Sequence, residues 1–215
     1  MHEPGSFQTV RARRRRIVVG ISGASGAIYG IRMLELLRAA NVESHLVMSR
    51  SAQVTLAQET DLRIADVQAL ADVFYPNADI GAAISSGSFR VDGMVIAPCS
   101  IKTLSEIATG CTGSLLSRAA DVMLKERRRL VLMVRETPLH AGHLRSMAAV
   151  TDAGAIVYPP VPAFYAGPAS LREMVDHTVG RVLDMFEVDT ETVYRWEGVA
   201  AAMTEAPAER RSKLG

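Results

Sequence analysis

The sequence predicts an α/β fold with a single doubly wound, mainly parallel sheet and helices on both faces. Short runs of consecutive apolar residues alternate along the chain with longer segments of helical periodicity. The apolar runs contain few polar residues, which is typical of strands buried on both faces of a parallel sheet. The length of 215 residues suits one domain whose core needs neither disulfides nor a structural metal.

The first part of the chain carries two strand predictions and one helix. Ile17–Ile21 and Ser44–Met48 are short and largely apolar, and small or polar residues follow each of them. Ala27–Ala40 lies between them and has helical periodicity. Its apolar surface is broken by one stripe of charged residues at a spacing of three: Arg32, Glu35 and Arg38. Such a stripe predicts the solvent-exposed side of an otherwise buried helix.

The middle of the chain repeats the alternation. Residues 71–91 are rich in Ala, Gly and Ser, which predicts a loop or a weak edge segment. Gly93–Ala97 and Leu130–Val134 are predicted strands. The helix predicted over Ser100–Gly110 begins with a good N-cap residue and ends at a glycine, and Leu115–Arg127 forms the next helix.

The last part holds two helices and one strand. A helix is predicted over Ala141–Ala153, followed directly by a strand over Ala155–Tyr158. The helix over Ser170–Phe186 opens with a capping box, Ser170 and Glu173, just after a proline. Alternating strands and helices predict right-handed crossovers within one parallel sheet.

The net charge of +1 conceals an uneven distribution. Residues 1–16 hold five arginines and one acidic residue, a net +4, whereas the remainder carries 19 basic and 22 acidic residues, a net −3. Such a body lacks the broad basic face of nucleic-acid-binding proteins, and no apolar run approaches the ~20 residues of a membrane-spanning helix. The predicted organisation is therefore a flexible basic flank over 1–15, one domain over 16–198 and a polar tail over 199–215, with neither a nucleic-acid nor a membrane partner.

Residues that often serve redox or metal chemistry are few. The two cysteines, Cys99 and Cys111, cannot make a disulfide framework, so we expect a cytoplasmic protein. Neither has a base beside it in the sequence, which favours small core residues over nucleophiles. His140 and His143 lack further ligands at metal-binding spacing, so a role at a helix start is favoured and no metal is predicted.

Small, polar or rigid residues follow every predicted strand. The five segments are Ser22–Ala27, Ser49–Ser51, Pro98–Ser100, Arg135–Pro138 and Pro159–Tyr165. Because the carboxyl ends of parallel strands meet at one edge of a sheet, where ligands bind, these segments are expected to lie together. The clustering indicates a ligand-binding enzyme.

Several of these residues have two interpretations. Gly20, Gly23 and Gly26 suit either a tight strand–helix turn or a cradle for a phosphate or cofactor, although the spacing is neither a dinucleotide fingerprint nor a P-loop. Ser100 and Thr103 are either a helix cap and a solvated hydroxyl, or part of a second phosphate-binding helix start.

The charged residues are equally open to two interpretations. Arg118, Asp121 and Lys125 share one helical face, as an intrahelical ion ladder or as a cationic clamp for a phosphate. Arg135 and Glu136 either end a strand or line a cleft, where they would bind an anion and transfer protons.

Arg181 and Trp196 complete the set of candidates. Arg181 interrupts an apolar helical stripe, so it either extends to solvent at the rim or meets an anionic partner. Trp196, the only tryptophan, either packs in the fold or offers its π-face to a developing carbocation.

Taken in order, the motifs resemble those of the flavin prenyltransferases, the UbiX-type partners of UbiD decarboxylases, over about residues 16–198. The matching segments are Gly20–Ala27, Gln58–Asp61, Ala97–Leu104, Ile107–Gly110, Arg118–Val122, Lys125–Arg128, Arg135–Pro138, His143–Leu144, Pro162–Tyr165, Arg181 and Arg195–Trp196. Each is weak alone, but their order along the chain is specific.

The resemblance implies a fold and an activity. The fold would be a Rossmann-like flavoprotein. Enzymes of this kind transfer a dimethylallyl group from dimethylallyl monophosphate to N5 and C6 of reduced FMN, and the prenylated FMN serves a UbiD-type decarboxylase. The resemblance also implies a homo-oligomer, commonly a dodecamer, with sites at subunit contacts and no metal.

The resemblance also implies residue roles. The FMN-binding residues would be Gly23, Ala24, Ser25, Ser49, Ser100, Ile101, Lys102, Thr103 and Arg135. The prenyl phosphate would be bound by Arg118, Lys125, Tyr165 and Arg181. The residues implied in catalysis are Ser25 near the reacting flavin, Glu59 and Glu136 in proton transfer, Lys125 at the leaving phosphate and Trp196 at the allyl group.

Two alternatives are weighed against this assignment. Flavin-dependent cysteine decarboxylases are similar in fold, but they need a catalytic histidine, and His45 falls inside a predicted strand. A flavin-binding or chaperone protein without chemistry is the second alternative, and it would be favoured if Glu59 and Glu136 pointed away from the flavin.

Overall fold

The computed structural model describes residues 13–196, which form one sheet of six parallel strands in the order β3-β2-β1-β4-β5-β6. The strands are β1 (Arg16–Ile21), β2 (Glu43–Met48), β3 (Val73–Pro76), β4 (Gly93–Cys99), β5 (Arg129–Val134) and β6 (Ile156–Val157). The sheet is thus the doubly wound, parallel sheet that the sequence predicts.

Seven α-helices connect and cover the strands. They are α1 (Ala27–Ala39), α2 (Arg50–Glu59), α3 (Ile64–Gln68), α4 (Ile101–Ala108), α5 (Leu115–Lys125), α6 (Ala141–Asp152) and α7 (Leu171–Asp184). Two short 3-10 turns lie at Ala83–Ser85 and Phe164–Ala166. One hydrophobic cluster packs α1, α2, α3 and α7 on one face of the sheet, and another packs α4, α5 and α6 on the opposite face.

All five predicted strands and all five predicted helices are present, and the differences lie at the periphery. The sequence did not predict α2 or α3, because α2 buries only Ala52 and Leu56 and α3 only Val67, which leaves little apolar periodicity. Residues 71–91 include a short edge strand, β3, which agrees with the second of the two predictions for this segment. The last strand, β6, is two residues long, shorter than predicted.

The charged stripe predicted on α1 is not uniformly exposed. Arg32 is buried, and its Nε lies 2.6 Å from a carboxylate oxygen of Asp176 on α7. The guanidinium also contacts Glu35 on its own helix. The prediction of a solvent-exposed stripe is therefore wrong at Arg32, because α7 covers that side of α1 and provides an anion for the buried cation.

Four consecutive arginines make ion pairs at the edge where the strands begin. The pairs are Arg13–Asp92, Arg14–Asp72, Arg15–Glu187 and Arg16–Glu43, with N···O distances of 2.7–3.0 Å. The predicted flexible flank over 1–15 therefore includes three residues with specific partners in the domain. The rest of that flank, over 1–12, and the predicted tail over 199–215 lie outside the described residues.

The two cysteines occupy different environments. Cys99 is fully buried at the end of β4, where burial raises the pKa of its thiol. Cys111 is exposed beyond the end of α4. Neither is disulfide-bonded. Among residues 13–196, no helix combines the length and apolar character that crossing a membrane requires.

Candidate functional site

A cavity of about 400 Å³ opens at the carboxyl ends of the central strands. Strands β1 and β4 are adjacent although β2 and β3 come between them in sequence, and such a reversal of strand order leaves a ligand-binding crevice. The residues that line the cavity are Gly23, Ser49, Ser51, Asn77, Ser100, Lys102, Thr103, Glu106, Gly113, Ser114 and Leu116. They come from the loops after β1, β2, β3 and β4 and from the start of α5.

The N-terminus of helix α4 lies at this cavity. Ser100 is the N-cap, and its hydroxyl accepts a hydrogen bond from the amide of Thr103 at 3.4 Å. No described residue accepts from the amides of Ile101 and Lys102, which precede the first intrahelical bond. Two free N–H groups and the positive end of the helix dipole make this an anion-binding position.

Helix α2 has the same construction on the other side. Ser49 caps it by accepting from the amide of Ala52 at 3.0 Å, and the hydroxyls of Ser49 and Ser51 are 3.0 Å apart. Within the described part of the chain, the amides of Arg50 and Ser51 have no acceptor. Two helix starts with free amides therefore face one cavity.

The loop after β1 needs glycine where it approaches α2. A β-carbon at Gly23 would lie 2.3 Å from the hydroxyl oxygen of Ser51. Gly26, the N-cap of α1, has a φ of 103°, a left-handed conformation that favours glycine. The glycines thus serve a tight turn and a cavity wall at once, so the two interpretations of this loop are compatible.

Ser22 joins two of the cavity loops. Its buried hydroxyl donates to the carbonyl of Pro98 at 2.8 Å and accepts from the amide of Ser100 at 2.7 Å. These two hydrogen bonds connect the loop after β1 to the N-cap of α4. They therefore fix the distance between the glycine turn and the N-terminus of α4.

Glu59 caps the start of α1 from the end of α2. Its carboxylate accepts from the amides of Gly26 and Ala27, each at 2.9 Å. Partial burial alone would raise the pKa of Glu59. The hydrogen bonds from the Ser25 side chain and from these two amides, together with the positive charge of Arg135, hold that pKa below its usual range. Glu59 is therefore ionised at neutral pH.

Arg135 and Glu136 follow β5 at the same edge. The amide of Arg135 donates to the carbonyl of Cys99 at 3.1 Å, and the carboxylate of Glu136 accepts from the amide of Thr137 at 3.0 Å. Burial raises the pKa of Tyr29, and the nearby charge of Arg135 opposes that rise. The charge of Arg135 thus acts on both Glu59 and Tyr29, and Glu136, the next residue, is exposed.

A second cavity, of about 290 Å³, involves Tyr165, Arg181 and Trp196. The ring centres of Tyr165 and Trp196 are 6.2 Å apart in an edge-to-face arrangement. Arg181 is exposed at the rim, and its guanidinium lies 2.7 Å from a carboxylate oxygen of Asp184, so both interpretations of this residue apply. Partial burial raises the pKa of Tyr158, which follows β6, and the positive charge of Arg181 opposes that rise.

Arg118 and Lys125 lie apart from both cavities in a single chain. Arg118 pairs with Asp121 at 2.7 Å, and Lys125 contacts Glu126. Helix α5 begins at the first cavity and runs toward the strand starts, so ten residues, about 15 Å of helix, separate Leu115 from Lys125. One chain therefore assembles most of the predicted site, but it does not bring these two cations to it.

The predicted histidine pair serves a helix start. His140 is the N-cap of α6, where its Nδ1 accepts from the amide of Gly142 at 3.0 Å, and its ring stacks on His143. No group of three metal-ligating side chains is present within residues 13–196. The predicted helix-start role is confirmed for His140.

Sequence reasoning missed three polar residues of the first cavity: Asn77, Glu106 and Ser114. Ser114 is the N-cap of α5, in a capping box with Ser117 that the sequence pattern could have shown. Asn77 lies in the segment predicted as loop or weak edge, and no local pattern indicates that the end of β3 meets the start of α5.

Comparisons with known proteins agree with this geometry. A family model described as Flavoprotein matches residues 7–184. Over 187 residues the chain is 58% identical to the flavin prenyltransferase UbiX of Escherichia coli (strain K12), covering 86% of this chain and 99% of that protein.

Two solved structures share the fold. AnUbiX (PadA1), crystallised in complex with FMN and dimethylallyl pyrophosphate, is 55% identical with a TM-score of 0.85, covering 86% of this chain and 99% of that one. A dodecameric FMN-dependent UbiX-like decarboxylase from Escherichia coli O157:H7 is 48% identical with a TM-score of 0.83, covering 85% of this chain and all of that one. With this much identity over nearly the whole domain, the chain belongs to the UbiX-type flavin prenyltransferases, within the flavoprotein family.

Proposed function

We propose that this protein is a cytoplasmic flavin prenyltransferase. It transfers a dimethylallyl group from dimethylallyl monophosphate to N5 and C6 of reduced FMN, and a UbiD-type decarboxylase uses the prenylated FMN. One observation carries the proposal: two helix starts with free amides meet a glycine turn at one cavity, and the carboxylates Glu59 and Glu136 lie at the same strand edge.

The first cavity suits the phosphate end of FMN. The amides of Ile101 and Lys102 donate to phosphate oxygens, and the hydroxyl of Thr103, which accepts from the Ser100 hydroxyl, adds a further donor. Ser49 acts in the same way from the start of α2. When bound, FMN supplies the nucleophilic nitrogen that accepts the dimethylallyl carbon.

The loop after β1 and Arg135 hold the flavin itself. The absence of a side chain at Gly23 lets the backbone of Gly23 and Ala24 approach the ligand closely. The guanidinium of Arg135 suits a flavin carbonyl. Ser25, whose side chain contributes to the lowered pKa of Glu59, lies at the reacting end.

Cations serve the leaving phosphate. The carbon–oxygen bond of the prenyl phosphate breaks with both electrons going to oxygen, so positive charge at that oxygen lowers the barrier. Arg181 and Tyr165 both line the second cavity, where they bind the leaving phosphate. The ring of Trp196, in the same cavity, faces the allyl cation. Arg118 and Lys125 complete the cationic group.

A neighbouring copy of the chain supplies Arg118 and Lys125. Within one chain, Lys125 is the last residue of α5, ten residues from its cavity end, and Arg118 pairs with Asp121 and lines neither cavity. A relative that is 48% identical is described as dodecameric. A homo-oligomer whose copies meet at the cavity, such as a dodecamer, would bring both cations to the prenyl phosphate.

Two carboxylates divide the proton transfer. Glu59 is ionised at neutral pH, so it accepts a proton through Ser25 rather than donating one. Glu136 is exposed beside Arg135 and assists the departure of the phosphate. The arrangement differs from that of a cysteine decarboxylase, which needs a catalytic histidine. His45 is only 2% exposed inside β2 and is hydrogen-bonded to Glu43 and Tyr75.

The test is an anaerobic reaction of the protein with reduced FMN and dimethylallyl monophosphate. We expect release of inorganic phosphate at the rate at which the flavin absorbance spectrum changes. The same reaction with dimethylallyl diphosphate compares the two donors. FMN binding without release of phosphate from the first donor or of diphosphate from the second would instead favour a flavin-binding protein without chemistry.

A further inference from the structure

Asn77 connects the end of β3 to the start of α5. Its backbone carbonyl accepts from the amide of Leu115 at 2.9 Å, and its side-chain Oδ1 accepts from the amide of Leu116 at 3.0 Å. Because an amide N–H can only donate, the carboxamide must present its oxygen to α5. The orientation of this side chain is therefore determined by its contacts.

Helix α5 consequently differs from α2 and α4. Its first four amides all have acceptors, two from Asn77 and two from Ser114: the Ser114 hydroxyl accepts from Ser117 at 3.3 Å, and its carbonyl accepts from Arg118 at 2.9 Å. The start of α5 borders the cavity but has no free backbone donor for a ligand.

The side-chain amide nitrogen of Asn77, Nδ2, is a hydrogen-bond donor that remains available at the start of α5. With Oδ1 turned to α5, Nδ2 lies on the opposite side of the carboxamide, in a residue that lines the cavity. No described residue accepts a hydrogen bond from it. We propose that Asn77 is a further ligand-binding and positioning residue, which holds the start of α5 and donates from Nδ2 to the phosphate-bearing end of FMN.

This inference rests on the proposed function, since it adds one donor to the same cavity. It also explains why an uncharged amide lies there. A carboxylate would hold α5 equally well through one oxygen, but it would place negative charge beside a phosphate. Asparagine meets both needs, because it accepts on one side and donates on the other.

The decisive variant is therefore Asn77→Asp. The new side chain keeps the acceptor for Leu116, so the thermal midpoint of the ligand-free protein should stay within about 2 °C of wild type. The dissociation constant for FMN, measured by quenching of FMN fluorescence, should rise at least tenfold. Binding of riboflavin, which lacks the phosphate, should weaken by less than threefold.

Asn41→Asp is the matched control. This substitution adds the same negative charge, but Asn41 lies between α1 and the start of β2, at the opposite end of the strands from the cavity. It should leave the dissociation constant for FMN unchanged. The inference is overturned if Asn77→Asp binds FMN as wild type does, or if FMN and riboflavin lose affinity equally. Failure of the wild-type protein to bind FMN would overturn the proposed function and this inference together.

Discussion

Glu59 shows how one side chain serves both the fold and the site. Its carboxylate completes the start of α1, and its lowered pKa is due in part to Ser25, a residue proposed to lie at the reacting end of the flavin. Such a group stabilises the protein only while it is ionised. Its folded-state pKa is lowered, so its contribution to stability is present above the ordinary glutamate pKa and is lost as pH falls through the lowered value.

We predict that Glu59→Gln lowers the free energy of unfolding by about 1 kcal/mol at pH 7, a modest figure because the carboxylate is largely exposed. The difference between variant and wild type should shrink below about pH 4.3, where the unfolded-state carboxyl protonates, and disappear below the lowered pKa. Urea unfolding at several pH values measures it. A difference independent of pH would show that the charge does not matter.

Glu136 and Lys125 are proposed to act on the departing phosphate and not on the bound flavin. Glu136→Gln and Lys125→Ala should each bind FMN with wild-type affinity and lose prenyl transfer on the order of 100-fold or more. Flavin fluorescence titration and phosphate release under single-turnover conditions separate the two effects. Full turnover by either variant would refute the role of that residue.

At the scale of elements, the separation of the β1–α1 loop from α2 depends on Gly23. Gly23→Ala places a methyl group 2.4 Å from the β-carbon of Ser51, so the loop and the start of α2 must separate. We expect the FMN dissociation constant to rise tenfold or more, at about 1–3 kcal/mol of strain. The double variant Gly23→Ala with Ser51→Gly removes the clash and should recover most of the affinity. Failure to recover would show that the alanine acts by restricting the backbone.

The elements differ in how readily the sequence predicts them. The central strands β1, β4 and β5 are recognisable because they are buried on both faces and are almost entirely apolar, and β2 is apolar over its last three residues. At the edges, β3 is only partly buried, so its pattern resembles a loop. Helix α1 was located correctly, but its buried ion pair with Asp176 depends on α7, which is distant in sequence.

The same division applies to the candidate site. Gly23, Ser49 and Ser100 follow strands, so the rule that strand ends share one edge predicts their proximity. Lys125 lies at the far end of a helix, and its distance from the cavity follows from helix direction and length rather than from any motif. Asn77 could not be predicted, because its partner amides lie almost forty residues further along the chain.

At the scale of the whole molecule, the role proposed for Lys125 needs a neighbouring copy of the chain, because Lys125 lies at the end of α5 that is remote from the first cavity. If Lys125 of one copy serves the cavity of another, mixing Lys125→Ala with Glu136→Gln creates some sites that carry neither change. Random reassembly of equal amounts should restore about a quarter of wild-type activity. The two proteins are mixed under dissociating conditions, reassembled and assayed, with each variant reassembled alone as the control. No recovery in the mixture would place both residues in sites built by one chain.

The contrast between the two thiols has a practical consequence. Cys99 is sealed in the core, whereas Cys111 is open to solvent two residues before Gly113 in the cavity wall. A maleimide dye added to the unmodified protein should therefore attach at Cys111 with one-to-one stoichiometry. The natural sequence thus offers a fluorescent reporter beside the cavity, with which flavin entry and exit can be timed without engineering the protein.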